Sequence, residues 1–308
     1  MIRTWKLTIT ATAEMTFADM TSLDAITRQL PEGYYSTFRT FDRCTRVLGF
    51  ADHLRRLYDP VPTPEVSVST LRRQLLALLE HYRPDEGRVR LIMTKQGQIY
   101  IAIEPLKLLS RDVYKRGVRV ETAEMHRESP LLKSTAFIGI STEERKHIAQ
   151  EGVFEALLVK DGEILEGMTS NFFYVQYARA EQNEPKANVD EARAHLPRAQ
   201  VPGASALRSA QREAVLYTAQ DGVLLGITRQ IIIEIAQNNR LEVKYQPLKR
   251  DQLAAAQEAF ITSSSRGIVP VIQIDDVTIG QGIPGPITKK LSAIYDVYVT
   301  KKAEKIES

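Results

Sequence analysis

Two side chains in the middle of the chain, Lys133 and Glu166, have the types needed for covalent and acid–base chemistry. A lysine amine without its proton is a nucleophile and a base, and a carboxylate beside it can hold or move a proton. Each residue alone has an ordinary alternative, because most lysines and glutamates are solvated surface charges. The two lie 33 positions apart, so their meeting depends on the elements between them.

A short helix is predicted in the first half of that interval. Ser141 followed by Glu144 has the spacing of a capping box, and Gly152 stands where a helix usually ends. The helix would therefore run from Ser141 to about Gln150.

A β-hairpin is predicted in the second half. The runs FEALLVK and EILEG flank Asp161-Gly162, and an Asp-Gly pair between β-type runs favours a two-residue type I′ turn. Glu166 then lies at the far end of the second strand. Helix and hairpin together can return Glu166 to the neighbourhood of Lys133.

The composition is that of a globular protein. The chain has 308 residues, 43% of them hydrophobic, which is enough for substantial cores and two modest domains. A formal net charge of +3 without a long Lys/Arg run gives no positive case for nucleic-acid binding. No apolar stretch reaches the length of a signal-peptide core or a membrane span, so we expect a cytoplasmic protein without a membrane partner.

The residues that usually bind metals give no sign of a metal site. The chain has one cysteine, Cys44, which excludes an internal disulfide and a cysteine cluster. The five histidines are scattered and show no paired ligand spacing. We therefore expect no metal.

The stretch Pro130–Val175 resembles the catalytic segment of fold-type IV pyridoxal-phosphate enzymes, which include branched-chain aminotransferases, D-amino-acid transaminases, R-selective amine transaminases and aminodeoxychorismate lyase. In that family a lysine is followed, about one helix and one hairpin later, by a glutamate in an E-G-x-x-x-N-x-F context. Here that context is formed by Glu166, Gly167, Asn171 and Phe173. The resemblance implies that Lys133 forms a Schiff base with pyridoxal 5′-phosphate and that Glu166 faces the ring nitrogen of this cofactor.

A second sequence match to the family indicates an arginine that could bind the cofactor phosphate. The segment FADHLRRLYDP resembles the family's H-x-x-R-L segment, in which the arginine contacts the phosphate. Arg56 occupies that position, and a guanidinium can donate two parallel hydrogen bonds to phosphate oxygens. The alternative is a solvated helix face with Arg55 and Arg56 both outward.

Two further segments resemble the rest of the family's phosphate site. Gly226-Ile227-Thr228 opens an apolar helix, where unpaired amides and the helix dipole favour an anion, although threonine is also a common helix cap. Ser264 and Ser265 match the strand-end turn whose hydroxyl and amide groups complete the phosphate cup, although a serine cluster is also typical of a simple polar turn.

The substrate side is less well defined. In the aromatic hairpin after Gly33, Tyr35 and Arg39 match the family, whereas Ser36 stands where glutamate is usual. Arg90 matches a strand position from which some members contact the substrate carboxylate, and a surface arginine on an edge strand is the alternative. The branched-chain enzymes usually carry tyrosine five residues after the lysine, where this chain has isoleucine, and no Arg-x-His signal of a D-amino-acid transaminase occurs. The amino donor and its chirality stay open.

Two α+β domains are expected. Residues 1–112 would form the smaller N-terminal domain, followed by a polar linker at 110–116, and residues 113–308 the larger cofactor-binding domain. The resemblance implies a fold-type IV architecture, with an N-terminal α/β sandwich, a barrel-like sheet in the C-terminal domain, the cofactor between them, and a homodimer. The stretch at about 177–213 is rich in Ala, Arg, Glu and Pro, and we expect it to be a flexible insertion.

The function these residues imply is that of a class IV pyridoxal-phosphate-dependent aminotransferase. It would move an amino group between a small-molecule amino donor and a 2-keto acid by a ping-pong mechanism through the Lys133 Schiff base. One alternative is a lyase resembling aminodeoxychorismate lyase, which would use the same Lys133 and Glu166 but release pyruvate. Another is a non-catalytic pyridoxal-phosphate-binding or interaction protein.

Overall fold

Two β-sheets with packed helices make up the part of the chain that the structure describes. The structure is a computed structural model and describes residues 1–177 and 214–307. The insertion expected at about 177–213 lies, from residue 178 onward, outside the described residues. Within the described ranges, no helix is both long enough and apolar enough to cross a membrane.

The first sheet has seven strands and is built mainly from the N-terminal third of the chain. Its strands are β1 (Arg3–Leu7), β2 (Thr12–Met15), β3 (Gly33–Phe41), β4 (Arg46–Val47), β5 (Gly87–Thr94), β6 (Ile99–Pro105) and β17 (Glu304–Lys305). They lie in the order β17-β4-β3-β5-β6-β1-β2, and all neighbours are antiparallel. The last strand shows that the C-terminal end of the chain returns to this sheet.

The first sheet has a separate hydrophobic core on each face, as the alternating side chains of β3 show. The helices near this sheet are α1 (Leu23–Arg28), α2 (Phe50–Tyr58) and α3 (Val68–Leu79). Phe38 packs in one core with apolar residues of α2 and α3, while Tyr35 packs in another with α1 and Ile92. Successive strand residues point to opposite faces, so Tyr35 and its neighbour Thr37 face away from α2.

The second sheet has ten strands from the rest of the chain. They are β7 (Val118–Glu124), β8 (Ala156–Lys160), β9 (Glu163–Gly167), β10 (Asn171–Tyr177), β11 (Ala214–Thr218), β12 (Glu242–Tyr245), β13 (Leu248–Lys249), β14 (Glu258–Ser263), β15 (Gly267–Ile274) and β16 (Val277–Thr278). The order β10-β14-β15-β7-β8-β9 returns to β10 through a β9–β10 pairing, which closes a ring of six strands. This arrangement confirms the predicted α+β class with a barrel-like sheet.

The strand β10 shows how the ring is packed inside and outside. Phe172 and Tyr174 belong to a core that draws residues from all six strands of the ring. Phe173 and Val175 point the other way and pack with α7 (Ile227–Asn238) and α8 (Pro286–Lys302). The aromatic rings of Phe173 and Phe260 stack with centroids 5.0 Å apart. The ring therefore has a filled interior, and its outer face carries the helix that opens the predicted phosphate site.

Three short helices precede β8: the first lies between the two sheets along the chain, and the other two lie between β7 and β8. They are α4 (Arg111–Arg116), α5 (Ala136–Ile140) and α6 (Thr142–Gln150). The first of these occupies most of the expected linker at 110–116, and the boundary between two domains near residue 112 stays a prediction.

The predicted capping box at Ser141 is wrong. A side-chain N-cap needs an extended backbone, but α5 runs almost directly into α6 and leaves Ser141 at φ −84° and ψ 7°. Its hydroxyl donates to the carbonyl of Phe137 at 2.7 Å instead. The predicted hairpin is confirmed, because Asp161 and Gly162 both have positive φ values, as a type I′ turn requires.

A buried carboxylate fixes the start of α8. Glu258, 3% exposed, accepts hydrogen bonds from the Ile287 amide at 3.0 Å, the Thr288 amide at 2.7 Å and the Thr288 hydroxyl at 2.7 Å. The Tyr177 hydroxyl donates to the same carboxylate. One side chain thus joins β10, β14 and the final long helix.

We expect Glu258→Gln to lower the free energy of unfolding by about 1–3 kcal/mol, because an amide has one acceptor oxygen and leaves buried donors unpaired. The measurement is chemical denaturation followed by circular dichroism. Glu242→Gln, at an exposed position of β12, is the matched control and should change stability by less than about 0.5 kcal/mol. Equal stability of the two variants would show that Glu258 does not fix α8.

Candidate active site

A cavity of about 770 Å³ lies where the two sheets meet. Its wall contains nine of the ten predicted site residues: Tyr35, Arg56, Arg90, Lys133, Glu166, Ile227, Thr228, Ser264 and Ser265. Over the described residues, the structure does not place Arg39 on this wall. The Arg39 guanidinium instead lies 4.4 Å from the centroid of the Phe41 ring.

Lys133 reaches the cavity from a segment that pairs with the start of β3. The Lys133 carbonyl accepts a hydrogen bond from the Tyr35 amide at 3.0 Å, and the Thr135 amide donates to the Gly33 carbonyl at 2.9 Å. Gly33 has no room for a Cβ atom, which would collide with the Met93 carbonyl. The first sheet therefore positions Lys133, whose Nζ lies 5.1 Å from the centroid of the Tyr35 ring.

The surroundings of Lys133 favour its neutral amine. Loss of hydration lowers the pKa of Lys133 well below its ordinary value, and the cations of Arg56, Arg127 and Arg90 lower it further. Glu166 opposes this shift more weakly. A neutral amine is the form that can attack a carbonyl carbon or accept a proton.

Glu166 is held at the end of β9 by donors from three other segments. The side chain is almost fully buried, at 1% exposure. Its Oε1 accepts from Arg127 Nε at 2.8 Å, and its Oε2 accepts from Asn171 Nδ2 at 3.2 Å and from the Leu224 amide at 3.1 Å. Burial raises the pKa of the Glu166 carboxyl, and the Arg127 cation opposes that shift.

Arg127 is a site residue that the sequence analysis missed. Besides its bond to Glu166, its Nη2 donates to the Met168 carbonyl at 2.8 Å, and its guanidinium lies 3.8 Å from the centroid of the Phe137 ring. Its Nη1 is buried and finds no hydrogen-bond partner among the described residues. Arg127 lies in the irregular stretch between β7 and Lys133, where no periodicity marks it, and its only signal was an arginine six residues before the lysine.

Another part of the wall, which we call the cradle, groups Arg56, Ser264 and Ser265 with the first turn of α7 at Ile227 and Thr228. First-turn amides have no partner within their helix, so this group of residues could bind an anion. Gly226 precedes α7, and a Cβ there would collide with Asn171 Oδ1, so glycine permits this close approach. The hydroxyls of Thr228 and Ser264 lie 3.4 Å apart.

Arg56 joins the cradle from α2. Its Nη2 donates to the Leu225 carbonyl at 2.6 Å, which connects α2 to the segment before α7. Burial lowers the pKa of Arg56, but an arginine stays charged at neutral pH. Arg56 therefore does not point into solvent from an outer helix face, which was the alternative considered for it.

Arg90 occupies the side of the cavity that carries Tyr35. It is 4% exposed and lies on β5 inside the first sheet, so it is not a surface arginine on an edge strand. Its Nη1 donates to Asp24 Oδ1 at 2.6 Å, and its Nε donates to Thr37 Oγ1 at 3.0 Å. The guanidinium lies 4.7 Å from the centroid of the Tyr35 ring. Arg90 is therefore fixed in place before any ligand arrives.

The side chains on the wall fit pyridoxal 5′-phosphate. A neutral amine suits an aldehyde carbon, a buried carboxylate suits a protonated ring nitrogen, and the cradle suits a phosphate. Thr262 Oγ1 and Ser170 Oγ also belong to wall residues and are buried without a hydrogen-bond partner among the described residues. The cavity thus offers unsatisfied polar groups as well as charge.

The family comparison agrees with this geometry. A family profile described as amino-transferase class IV matches residues 33–274, which include all ten predicted site residues and Arg127. The D-alanine aminotransferase of Bacillus licheniformis is 32% identical over 149 residues, or 47% of this chain and 40% of that protein. A putative branched-chain-amino-acid aminotransferase of Methanocaldococcus jannaschii is 25% identical over 298 residues, or 89% of this chain and 90% of that protein. The chain thus matches less than half of the first relative's length and nine-tenths of the second's.

Solved structures share the fold. A putative branched-chain amino acid aminotransferase from Thermotoga maritima superposes with a TM-score of 0.72 at 22% identity, covering 97% of this chain and 96% of that one. A hypothetical aminotransferase from Mycobacterium tuberculosis in a PLP-bound form gives 0.69 at 17% identity, covering 97% and 99%. Class IV aminotransferases are pyridoxal-phosphate enzymes, so the predicted enzyme class and cofactor are confirmed at the level of the family. The profile match spans most of the chain and both sheets, and the chain belongs to the class IV aminotransferases.

Proposed function

We propose that this chain transfers an amino group between an amino acid or amine and a 2-keto acid, with Lys133 as the covalent ligand of pyridoxal 5′-phosphate. The observation that carries the proposal is one cavity that holds both a lysine with a lowered pKa and the buried, triply hydrogen-bonded Glu166. Neither feature suits a solvated surface charge, and both suit an enzyme that needs a nucleophilic amine and a fixed carboxylate.

Each part of the cofactor has residues that would hold it. Lys133 would hold the aldehyde carbon through Nζ, and Glu166 would hold the ring nitrogen in its protonated form. Arg56 with the cradle amides of Ile227 and Thr228 and the serines Ser264 and Ser265 would hold the phosphate. Arg127 supports this arrangement indirectly, because its hydrogen bond to Oε1 orients the Glu166 carboxylate.

The chemistry then depends on Lys133 in two successive roles. The bound cofactor supplies an electron sink that stabilises negative charge developing at the substrate α-carbon. Lys133 would hold the cofactor covalently, and its Nζ, once free, would take the proton from the substrate α-carbon as a general base. Glu166 would hold a proton on the ring nitrogen. A 2-keto acid acceptor runs the same steps in reverse, which gives ping-pong kinetics.

Fewer observations support the substrate-side residues than the cofactor-side residues. We propose Tyr35 and Arg90 as substrate-side residues because both line the cavity near Lys133. Arg39 stays a prediction, and its position off the wall gives it no support. The relatives are named for D-alanine and for branched-chain amino acids, so amino acids of both chiralities belong in the first substrate screen. A homodimer and a cytoplasmic location also stay predictions.

We expect Lys133→Ala to lose the covalent cofactor and to lower turnover by about three orders of magnitude, because one residue supplies both anchor and base. The measurement is borohydride trapping followed by peptide mapping, with the visible absorption band as a second readout. Lys146→Ala removes another lysine of the cavity wall and should still be trapped at Lys133. Trapping at any other lysine would contradict the assignment.

Glu166→Gln should keep the cofactor but lower turnover by about two to three orders of magnitude, because a neutral amide cannot stabilise a protonated ring nitrogen. Bound cofactor is measured by absorbance and turnover by keto-acid-dependent product formation. The control is Glu163→Gln on the same strand, which should behave like the wild type. Unchanged turnover in Glu166→Gln would remove this residue from its proposed role.

The rate at which the cofactor-free protein bonds covalently to pyridoxal 5′-phosphate should depend on pH in a direction set by Lys133. The reactive form is the free amine, so the rate is full above the lowered pKa and falls as the pH drops through it. We expect the rate to level off well below pH 10.5, the ordinary lysine value. Stopped-flow absorbance measures this profile, and a midpoint near 10.5 would mean that Lys133 is not the reacting group.

Product analysis separates the lyase alternative. A transaminase turns over repeatedly only when a 2-keto acid acceptor is present, whereas a lyase releases pyruvate over many turnovers without one. The assay is run with L-amino acids, D-amino acids and simple amines, each with and without an acceptor. Release of more than one equivalent of pyruvate per active site without an acceptor would replace the transaminase proposal by the lyase.

A further inference from the structure

A cluster of three side chains on the cavity wall has no role in the chemistry above. Glu155 immediately precedes β8, Thr169 lies in the loop between β9 and β10, and Arg266 lies in the turn between β14 and β15. Glu155 is 5% exposed, which is unusual for a carboxylate. The three residues come from three different segments, and the closed ring of six strands brings these segments together.

The cluster is fully cross-linked by hydrogen bonds. Arg266 Nη2 donates to Glu155 Oε2 at 2.8 Å and to the Thr169 hydroxyl at 2.7 Å. The Thr169 hydroxyl in turn donates to Glu155 Oε1 at 2.8 Å, and the Thr169 amide donates to the same oxygen. Each of the three side chains thus contacts both of the others. We call this set the Arg266 clamp.

The clamp also holds the turn that carries the cradle serines. Arg266 Nε donates to the Ser263 hydroxyl at 3.2 Å, and the Arg266 carbonyl accepts from the Tyr114 hydroxyl at 2.8 Å. The β14–β15 ladder ends at the Ser263–Gly267 pair, so Ser264 and Ser265 lie beyond the last ladder pair. A backbone hydrogen bond from the Arg266 amide to the Ser263 carbonyl, at 3.3 Å, closes this turn, and the two side-chain bonds of Arg266 and Tyr114 add to it.

Gly167 shows how closely the other side of the clamp packs. A Cβ at this glycine would lie 3.0 Å from Glu155 Oε1 and would collide with the Ser170 hydroxyl. Gly167 directly follows Glu166, and Thr169 precedes Asn171, which binds Glu166. The clamp therefore connects the segment beside Glu166 with the turn beside the cradle.

We propose that Arg266 is a positioning residue for the cradle, acting through its ion pair with Glu155 and its bond to Thr169. The clamp fixes Ser264 and Ser265 before the cofactor phosphate binds, so less ordering is needed on binding. This inference rests on the proposed function, because it assigns the cradle to the cofactor phosphate.

The effect of removing Glu155 has opposite signs under two explanations. If Arg266 merely attracted the phosphate as a nearby cation, Glu155→Gln would remove a competing negative charge and strengthen phosphate binding. If Arg266 positions the turn, Glu155→Gln breaks the clamp and weakens phosphate binding. The sign therefore distinguishes positioning from simple attraction.

The experiment compares pyridoxal 5′-phosphate with pyridoxal on the full, cofactor-free chain. The dissociation constant of pyridoxal divided by that of pyridoxal 5′-phosphate, both from absorbance titration, isolates the contribution of the phosphate from that of the ring and aldehyde. We expect this ratio to fall about tenfold in Arg266→Gln and in Glu155→Gln. The double variant should lose no more than the larger single loss, because the two residues act as one unit.

Matched controls and milder variants keep the test interpretable. Arg250→Gln and Glu124→Gln remove an arginine and a glutamate that pair with each other off the cavity wall, and should leave the ratio unchanged. Arg266→Lys should recover part of the loss. Thr169→Val keeps the shape and all charges but removes one hydroxyl, so a smaller decrease is expected even if the charge variants fold poorly.

The outcomes separate this inference from the proposed function. Ratios equal to the wild type in the Arg266, Glu155 and Thr169 variants would overturn the clamp alone. So would a higher ratio in Glu155→Gln, since it would favour simple attraction. A wild-type chain that binds neither pyridoxal 5′-phosphate nor pyridoxal would overturn the proposed function, and the clamp inference with it.

Discussion

The buried carboxylate of Glu166 is the constraint on which the rest of the site depends. Moving a carboxylate out of water has an effective cost of several kcal/mol unless neighbouring donors replace the lost hydration. Here the donors come from the stretch after β7, from β10 and from the segment before α7. All three must reach one point, so the same contacts that offset the cost of burying the Glu166 carboxylate also hold these three segments together around it.

Lys133 is positioned by the other sheet. Its segment pairs with the start of β3, and Arg56 reaches from α2 to the Leu225 carbonyl beside the cradle. The amine and the carboxylate therefore approach from opposite sides of the cleft. The cavity exists only where the two sheets dock, which explains why hairpin, helix and loop predictions alone could not define it.

The sequence predicted local features well and long-range partners poorly. The Asp161-Gly162 turn and the helix that starts after Gly226 follow from residue chemistry within a few positions, and both are found. Arg127 was missed because its partner Glu166 is 39 positions away and no periodicity links them. The Ser141 cap failed for a local reason, because the preceding helix ends at Ile140 and leaves Ser141 without the extended backbone of a side-chain cap. The order of the family motifs selected ten residues, nine of which lie on the cavity wall, because that order encodes contacts that local patterns do not.

The charges of the cavity suit the two roles proposed for Lys133. Among the described residues, eight arginines and lysines besides Lys133 line the wall together with three carboxylates, an excess that suits a phosphate dianion. Binding that dianion would offset part of the influence of Arg56 on Lys133. Burial, however, is the largest cause of the lowered pKa, and an anion in the cradle does not restore the lost hydration. Burial therefore favours the neutral amine of Lys133 with the cradle empty or filled, and the proposed roles of anchor and base both need that form.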